Sequence, residues 1–276
     1  MRYVLEAEDV FFTYPDGTRA LNGLTMRVPA GKKVAVLGKN GSGKSTLFLH
    51  FNGLQRPQKG VVKFNGSAVS YEKRALKLLR KSVGIVFQDP DDQLFSASVY
   101  QDVSFGPLNL GWPEEKTRRK VEEVLRQTGL WEEWNKPVHF LSHGQKKRAA
   151  IAGVLAMEPE VIVLDEPTAG LDPAFGSDLL SLLDKFNREG AAVIVSSHNT
   201  DEIYAWADHV FVLERGRVIG EGSPVEVFRR EDVLKKAGLV KPWVLDVFDR
   251  LAASGKLDKK RTPPHKREEL LDILGV

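Results

Sequence analysis

The sequence predicts an α/β fold: a parallel sheet with helices on both faces, preceded by paired strands and interrupted by a helical insertion. Two strings and the rhythm between them carry that expectation. Residues 38–45 read G-K-N-G-S-G-K-S, set between the apolar run K-V-A-V-L and the helix-compatible T-L-F-L-H-F. Residues 161–167 read V-I-V-L-D-E-P, four apolar positions and then two carboxylates, the pattern of a buried parallel strand reaching a ligand-bearing edge. Around them, short β-branched runs alternate with helical periodicity, which implies parallel strands joined by helical crossovers.

Tyr3 to Tyr14 and Arg19 to Val28 read as two strands about the turn Pro15-Asp16-Gly17. Lys33 to Leu37 is the next strand, followed by the glycine-rich loop and a helix beginning near Lys44. Gly60 to Phe64 is a strand ending at the turn Asn65-Gly66, and Val83 to Gln88 is another. From Asp89 to Met157 the character changes. Pro90, Pro107 and Pro113 break the chain, and in Glu114 to Gly129 the residues Val121, Val124 and Leu125 share one helical face, so 89–157 reads as a helical insertion. Strands resume at Val161 to Leu164, Ala191 to Ser196 and Val210 to Leu213, with a helix over Phe175 to Glu189. Residues 1–222 thus form one domain and 223–276 a polar, helical extension. That extension carries two apolar stripes, Val244, Leu245, Val247, Phe248 and Leu251, then Leu270, Leu271, Ile273 and Leu274. Such stripes suggest subunit pairing, with removal of the segment expected to spare the rest of the chain.

Composition removes several classes. The 276 residues, 42% hydrophobic and 28% charged, have the proportions of a soluble globular chain. No apolar run approaches the roughly 18 residues of a membrane span, and residues 1–9 lack the features of a secretory signal. The absence of cysteine excludes disulfides and thiolate metal sites and fits a reducing compartment. The net charge of +3 is concentrated in 229–276, where 12 Lys and Arg face 8 Asp and Glu. Its basic cluster, Lys256, Lys259, Lys260, Arg261, Lys266 and Arg267, has no interleaved aromatic, so it reads as a solvated face and no nucleic-acid partner is expected.

The first string fits Gly, four of anything, Gly, Lys, then Ser or Thr. Its glycines let Gly38, Lys39, Asn40, Gly41, Ser42 and Gly43 form a loop whose backbone N–H groups point inward at phosphate oxygens. The helix beyond it, with Thr46 in its first turn, adds free N–H groups and the positive end of its dipole. Lys44 offers a charge to the β- and γ-phosphates of a nucleoside triphosphate, and Ser45 a hydroxyl to Mg²⁺. Downstream, Asp165 can hold Mg²⁺ through water, and Glu166 can act as the base for an attacking water.

Between these strings lies Leu141-Ser142-His143-Gly144-Gln145, followed by K-K-R-A-A-I-A-G-V-L-A-M. Ser142 stands where a helix N-cap belongs and Gly144 permits close backbone approach, so this helix start is itself an anion site. The string resembles the L-S-G-G-Q signature of ATP-binding-cassette (ABC) ATPases, and the order of motifs from Tyr3 to Gly222 is similar to theirs. The resemblance implies a P-loop NTPase fold of the ABC ATPase type: a RecA-like core, an antiparallel β subdomain and a helical subdomain. It also implies that Tyr14 stacks on adenine, that Gln88 touches Mg²⁺ and senses the γ-phosphate, and that His198 is the switch histidine near that phosphate. Leu171-Asp172 would be the loop communicating between subunits. Two subunits would pair head to tail, each ATP lying between one phosphate loop and Ser142, Gly144 and Gln145 of the other subunit. His143 replaces the usual glycine, and its side chain is expected to point away from the phosphates.

Residues 87–111, F-Q-D-P-D-D-Q-L-F-S-A-S-V-Y-Q-D-V-S-F-G-P-L-N-L-G, resemble the ATPases of energy-coupling-factor transporters. The variant L-S-H-G-Q-K-K-R leans toward their cobalt and nickel branch, with vitamin uptake as the alternative. This implies an ATP- and Mg²⁺-dependent ATPase, peripheral at the cytoplasmic face of a membrane. Its partners would be a second ATPase subunit (a copy or a close paralogue) and integral membrane subunits docking near 89–111. Leu94, Phe95 and Val99 could line the docking groove, or pack onto the helical insertion. A cassette protein of DNA repair would need a long coiled coil between the motifs; about 97 residues separate Lys44 from Leu141, without a sustained heptad run. Translation factors usually carry two cassettes, and one motif set is present. A nucleotide-binding scaffold without turnover is disfavoured by the presence of both Glu166 and His198.

Overall fold

The structure, a computed structural model, describes residues 2–171, 173–258 and 260–275, and for 173–175 the backbone alone. Strands β1 (Tyr3–Thr13) and β2 (Arg19–Pro29) form the expected hairpin, closed by the Tyr14 N–H on the Thr18 carbonyl at 2.9 Å. After β3 (Lys33–Leu37) and α1 (Lys44–Phe51), strand β4 (Lys59–Phe64) pairs with the other edge of β1 and turns through Asn65-Gly66 into β5 (Ser67–Ala68). Asn65 and Gly66 both take positive φ, the requirement of a tight hairpin turn. The result is an antiparallel sheet in the order β2-β1-β4-β5.

Next come α2 (Lys73–Ser82), which sequence reading passed over, and β6 (Val83–Val86). That strand ends two residues before the expected Gln88. Residues 89–157 contain α3 (Val99–Asn109), α4 (Glu114–Gln127) and α5 (His143–Leu155), and no strand among the described residues. Beyond them lie β7 (Val161–Leu164), α6 (Pro173–Arg188), β8 (Ala192–Ser197), α7 (Thr200–Trp206), β9 (His209–Glu214) and β10 (Arg217–Gly222). The main sheet runs β10-β9-β3-β8-β7-β6, parallel except for the antiparallel β10. Strand β3 sits inside it with both faces covered. Val34 and Val36 point into a core shared with α1 and the antiparallel sheet, while Ala35 and Leu37 point into a core shared with α5 and α7. This arrangement, with the helices of 89–157 to one side, is the ABC ATPase architecture that the motifs imply.

The last segment is helical and joins the core. Helices α8 (Pro224–Phe228), α9 (Glu231–Ala237), α10 (Trp243–Ala253) and α11 (Arg267–Leu274) pack onto the domain instead of standing off it. Phe228, Val233, Leu234, Val244, Leu245, Phe248 and Leu270 are buried in the same core as Val193, Val195, Val210 and Val212. Polar ties fix the seam: the Trp243 N–H donates to Asp201 Oδ1 at 2.8 Å, and His265 Nδ1 donates to the Tyr204 carbonyl at 3.0 Å while its ring stacks on Tyr204. The apolar stripes are therefore largely consumed within the chain, and Leu274 is the stripe residue left exposed. Lys259 of the basic cluster lies outside the described residues.

Candidate nucleotide site

Four of the five parallel strands, β3, β6, β7 and β8, lead into the loops that build the site. After β3, the loop can close only with glycine at two places. A Cβ on Gly38 would lie 2.4 Å from the Leu213 carbonyl oxygen, and one on Gly43, at φ +106, 2.6 Å from that of Ala20. Gly43 caps α1 without a side-chain hydrogen bond, and no acidic residue occupies the first turn, so the positive helix end is left for an anion. The Ser42 hydroxyl is buried and has no hydrogen-bond partner among the described residues, which suits a loop awaiting phosphate oxygens. Lys44 is buried, and its Nζ donates to the carbonyls of Gly38 at 2.8 Å and Lys39 at 3.3 Å. Burial holds its pKa below the ordinary lysine value, while Glu166 and then Asp165 pull it back up.

Strand β7 delivers the two carboxylates. Asp165 is buried and accepts from Ser196 Oγ at 2.5 Å; its N–H donates to the Val86 carbonyl at 3.0 Å. Glu166 comes next with φ +46, a left-handed backbone rare for a residue with a side chain. Its carboxylate stands 3.9 Å from Lys44 Nζ and 3.6 Å from Nδ1 of His198, which is exposed just beyond β8. Ser45, Gln88 and Asp165 line one cavity of about 760 Å³ together with Phe87, His143, Lys147 and Gly170. Three strings far apart in sequence thus meet at one point.

Not every expected residue stands at that cavity. Tyr14 lies beside the phosphate loop, with its hydroxyl 3.1 Å from Thr46 Oγ1 and its ring edge-on to Phe12. Ser142 caps α5 as its sequence suggests: its Oγ accepts from the Gln145 N–H at 3.3 Å, while Gln145 Oε1 accepts from the Ser142 N–H at 3.0 Å. Gln145 also donates to Glu133 at 2.9 Å. Gly144 leaves room for Leu171, whose Cδ2 is 3.6 Å from where a Cβ would be. Asp172 lies outside the described residues. His143 borders the chain's own cavity, beside Gly170. Of the apolar trio near the turn, Val99 is fully buried and Leu94 packs on the core, leaving Phe95 exposed.

Sequence reading missed Ser196 and Lys147. Ser196, at the polar end of the apolar run A-V-I-V-S-S, holds both members of the carboxylate pair by accepting from the Glu166 N–H at 2.8 Å and donating to Asp165. Lys147 is a buried charge in a run that reads as a basic surface patch. The phosphate loop also touches the C-terminal extension, because the Lys39 side chain crosses Gly238, whose Cβ would fall 2.1 Å from Lys39 Cε.

A glycine loop opening a helix, a buried lysine and a strand-end carboxylate pair define a P-loop nucleoside-triphosphatase. Comparison with known proteins narrows the class. The model of the ABC transporter family matches residues 21–169. The energy-coupling factor transporter ATP-binding protein EcfA of Methanocaldococcus jannaschii is 50% identical over 249 residues, spanning 90% of this chain and 89% of that protein. Its counterpart in Methanothermobacter thermautotrophicus is 48% identical over 99% of this chain and 88% of that one. Among solved structures, cbiO1 of Clostridium perfringens, part of the ABC transporter complex cbiONQ, superposes with a TM-score of 0.75 at 47% identity, covering 90% of this chain and 100% of that one. A dimeric ATP-binding cassette holding ADP and phosphate gives 0.74 at 28% identity, over 80% of this chain and 98% of that one. The chain belongs to the ABC transporter family and is an ATPase of the energy-coupling-factor type.

Proposed function

We propose that this ATPase binds two ATP molecules between two head-to-tail subunits, its own copy or a close paralogue, and drives a membrane transporter by closing and reopening that pair. The observation that carries the reading is the Glu166 carboxylate standing 3.9 Å from Lys44 and 3.6 Å from His198, with the chain neighbours Ser45 and Asp165 lining one cavity together with Gln88. The Ser45 hydroxyl, the Gln88 amide oxygen and the Asp165 carboxylate, the last through water, are hard oxygen donors suited to Mg²⁺. Too few for an all-protein cage, they fit an ion shared with phosphates; bound there, it would neutralise charge on the β- and γ-phosphates. The N–H groups of Gly38 to Thr46 cradle the phosphates, and Tyr14 stacks on adenine after releasing Thr46. Glu166 accepts the proton of the attacking water, while Lys44 and His198 donate to the γ-phosphate oxygens as charge builds there. Ser142, Gly144 and Gln145 serve the phosphates bound by the other subunit, and the Leu171-Asp172 loop carries the signal between them.

Membrane subunits dock near residues 89–111. A groove of about 600 Å³ there is lined by Phe87, Phe95, Phe105 and Leu110 and rimmed by Lys73, Lys77, Arg80 and Lys81, which suits an amphipathic helix with acidic flanks. Among the described residues no helix is long and apolar enough to cross a membrane. The subunit would sit peripherally on the cytoplasmic face, held by that groove. Residues 223–276 keep Val240, Trp243 and Leu274 exposed, and these support a contribution to pairing beyond the 1–222 cassette. The transported substrate is cobalt or nickel, on the strength of the L-S-H-G-Q-K-K-R variant, with a vitamin as the second reading.

The test is Glu166→Gln, which keeps shape but cannot accept the proton. ATP binding and ATP-dependent dimers in size-exclusion chromatography should persist, while turnover falls by about 10²-fold or more. Near-normal turnover would remove Glu166 from the base role. Reconstitution with co-purifying membrane proteins, followed by uptake of labelled cobalt, nickel and vitamins, decides the substrate; accumulation of a vitamin alone would sink the metal reading.

A further inference from the structure

The ammonium of Lys147 is buried against the end of β7, where no motif assigns it a task. It rises from α5, five residues beyond the Ser142 cap, and is 2% exposed. Its Nζ donates to the carbonyls of Glu166 at 3.0 Å, Pro167 at 3.4 Å and Ala169 at 2.8 Å. An ammonium has three hydrogens and no acceptor, so these three carbonyls use its whole hydrogen-bonding capacity. It has nothing left for a nucleotide, although it borders the cavity.

We propose that Lys147 is a positioning residue for hydrolysis: it holds the Glu166 backbone in its left-handed conformation and thereby sets where the Glu166 carboxylate stands. Glu166 at φ +46 occupies a region that a side-chain-bearing residue keeps only when its surroundings fix it. Ser196 Oγ fixes the N–H side at 2.8 Å, and Lys147 fixes the C=O side. With both flanks held, the side chain leaves the backbone in one direction, toward Lys44 and His198. Burial pushes the Lys147 pKa down, while Glu166, then Asp89 and Asp165, favour its charged, three-donor form. Because Lys147 belongs to the helix that Ser142 opens, it also ties the signature half-site to the glutamate of the same chain.

The proposal rests on Glu166 as the base, and the experiment separates the two. In the full chain, Lys147→Met should lower kcat about tenfold or more with KM and ATP affinity changed less than about twofold, since the phosphate loop is untouched. Lys147→Gln, which keeps two N–H donors on a chain one atom shorter, should recover part of the loss, and it carries the test if the Met variant folds poorly. In a Glu166→Gln background, single-turnover rates should drop by less than about twofold further on adding Lys147→Met, because the lysine acts through that glutamate. A wild-type kcat in the Met variant, a parallel loss of kcat and ATP affinity, or losses that multiply in the double variant would each overturn the positioning role. Near-normal turnover of Glu166→Gln alone would instead overturn the base assignment.

Discussion

Lys44 and Glu166 bring opposite charges to 3.9 Å, both largely shut away from water, although one opens α1 beyond the loop after β3 and the other belongs to the turn after β7. Neither charge is isolated: Lys44 is held by two loop carbonyls, and Glu166 also has His198 nearby. The pair marks the point where the phosphate-binding and water-activating halves of the site touch.

Lys44→Ala should therefore fail at binding, before chemistry. Loss of a charge-assisted contact to the phosphates costs about 1.5–3 kcal/mol, or roughly 10- to 150-fold in ATP affinity by calorimetry. The wild-type pH profile supplies a second readout. Burial lowers the Lys44 pKa from 10.5, and phosphates bind its charged form, so affinity is full below the lowered value and falls as pH rises through it. The alkaline decline should begin earlier than an ordinary lysine would give, and it should vanish in Lys44→Ala. Unchanged affinity in that variant would count against the phosphate-loop assignment.

The parts legible in the sequence were those where chemistry forces residue type at fixed spacing. The glycines of the phosphate loop stood out by their spacing, Gly38 and Gly43 being places where a side chain would strike a neighbouring backbone carbonyl, and the run into Asp165 announced a buried strand. Lys147 was illegible because its environment comes from a strand end that meets α5 only in three dimensions. The strand expected over Val83 to Gln88 stops at Val86, since Phe87 turns its N–H to the Gln93 side chain at 3.1 Å instead of a neighbouring strand. The packing of the extension was illegible for a related reason: an apolar helical stripe does not say whether its cover is another subunit or its own sheet.

The groove beside α3 yields a test away from the chemistry. Phe95 and Phe105 are both exposed and meet edge to face at 4.8 Å, an aromatic pair left on the surface. Phe95→Asp would remove the proposed apolar anchor and set a negative charge against the acidic flanks proposed for the partner helix. Recovery of membrane partners in detergent pull-downs should fall about tenfold or more, while stability changes by less than about 0.5 kcal/mol, as for other exposed sites. Undiminished recovery would move the docking surface elsewhere.

The extension invites the strongest correction. If residues 223–276 were a separable pairing module, cutting after Gly222 would leave the nucleotide site as it was. Instead Phe228, Val233, Val244, Leu245 and Phe248 fill the core under β8 and β9, Gly238 lies under the Lys39 side chain, and the Trp243 N–H is tied to Asp201, three residues past His198. Phe248→Ala alone should cost about 3–5 kcal/mol, because it opens a cavity in a fully buried position. In a chain this size that lowers Tm by roughly 10 °C, readable by calorimetry. Removal of the whole segment strips several such side chains from a fold whose total stability is about 5–15 kcal/mol, so the truncated chain should aggregate or melt far below the parent. Any soluble fraction should bind ATP more weakly, having lost its supports behind Lys39 and His198. A truncated chain with parental Tm and parental ATP affinity would restore the separable module and refute the integrated core.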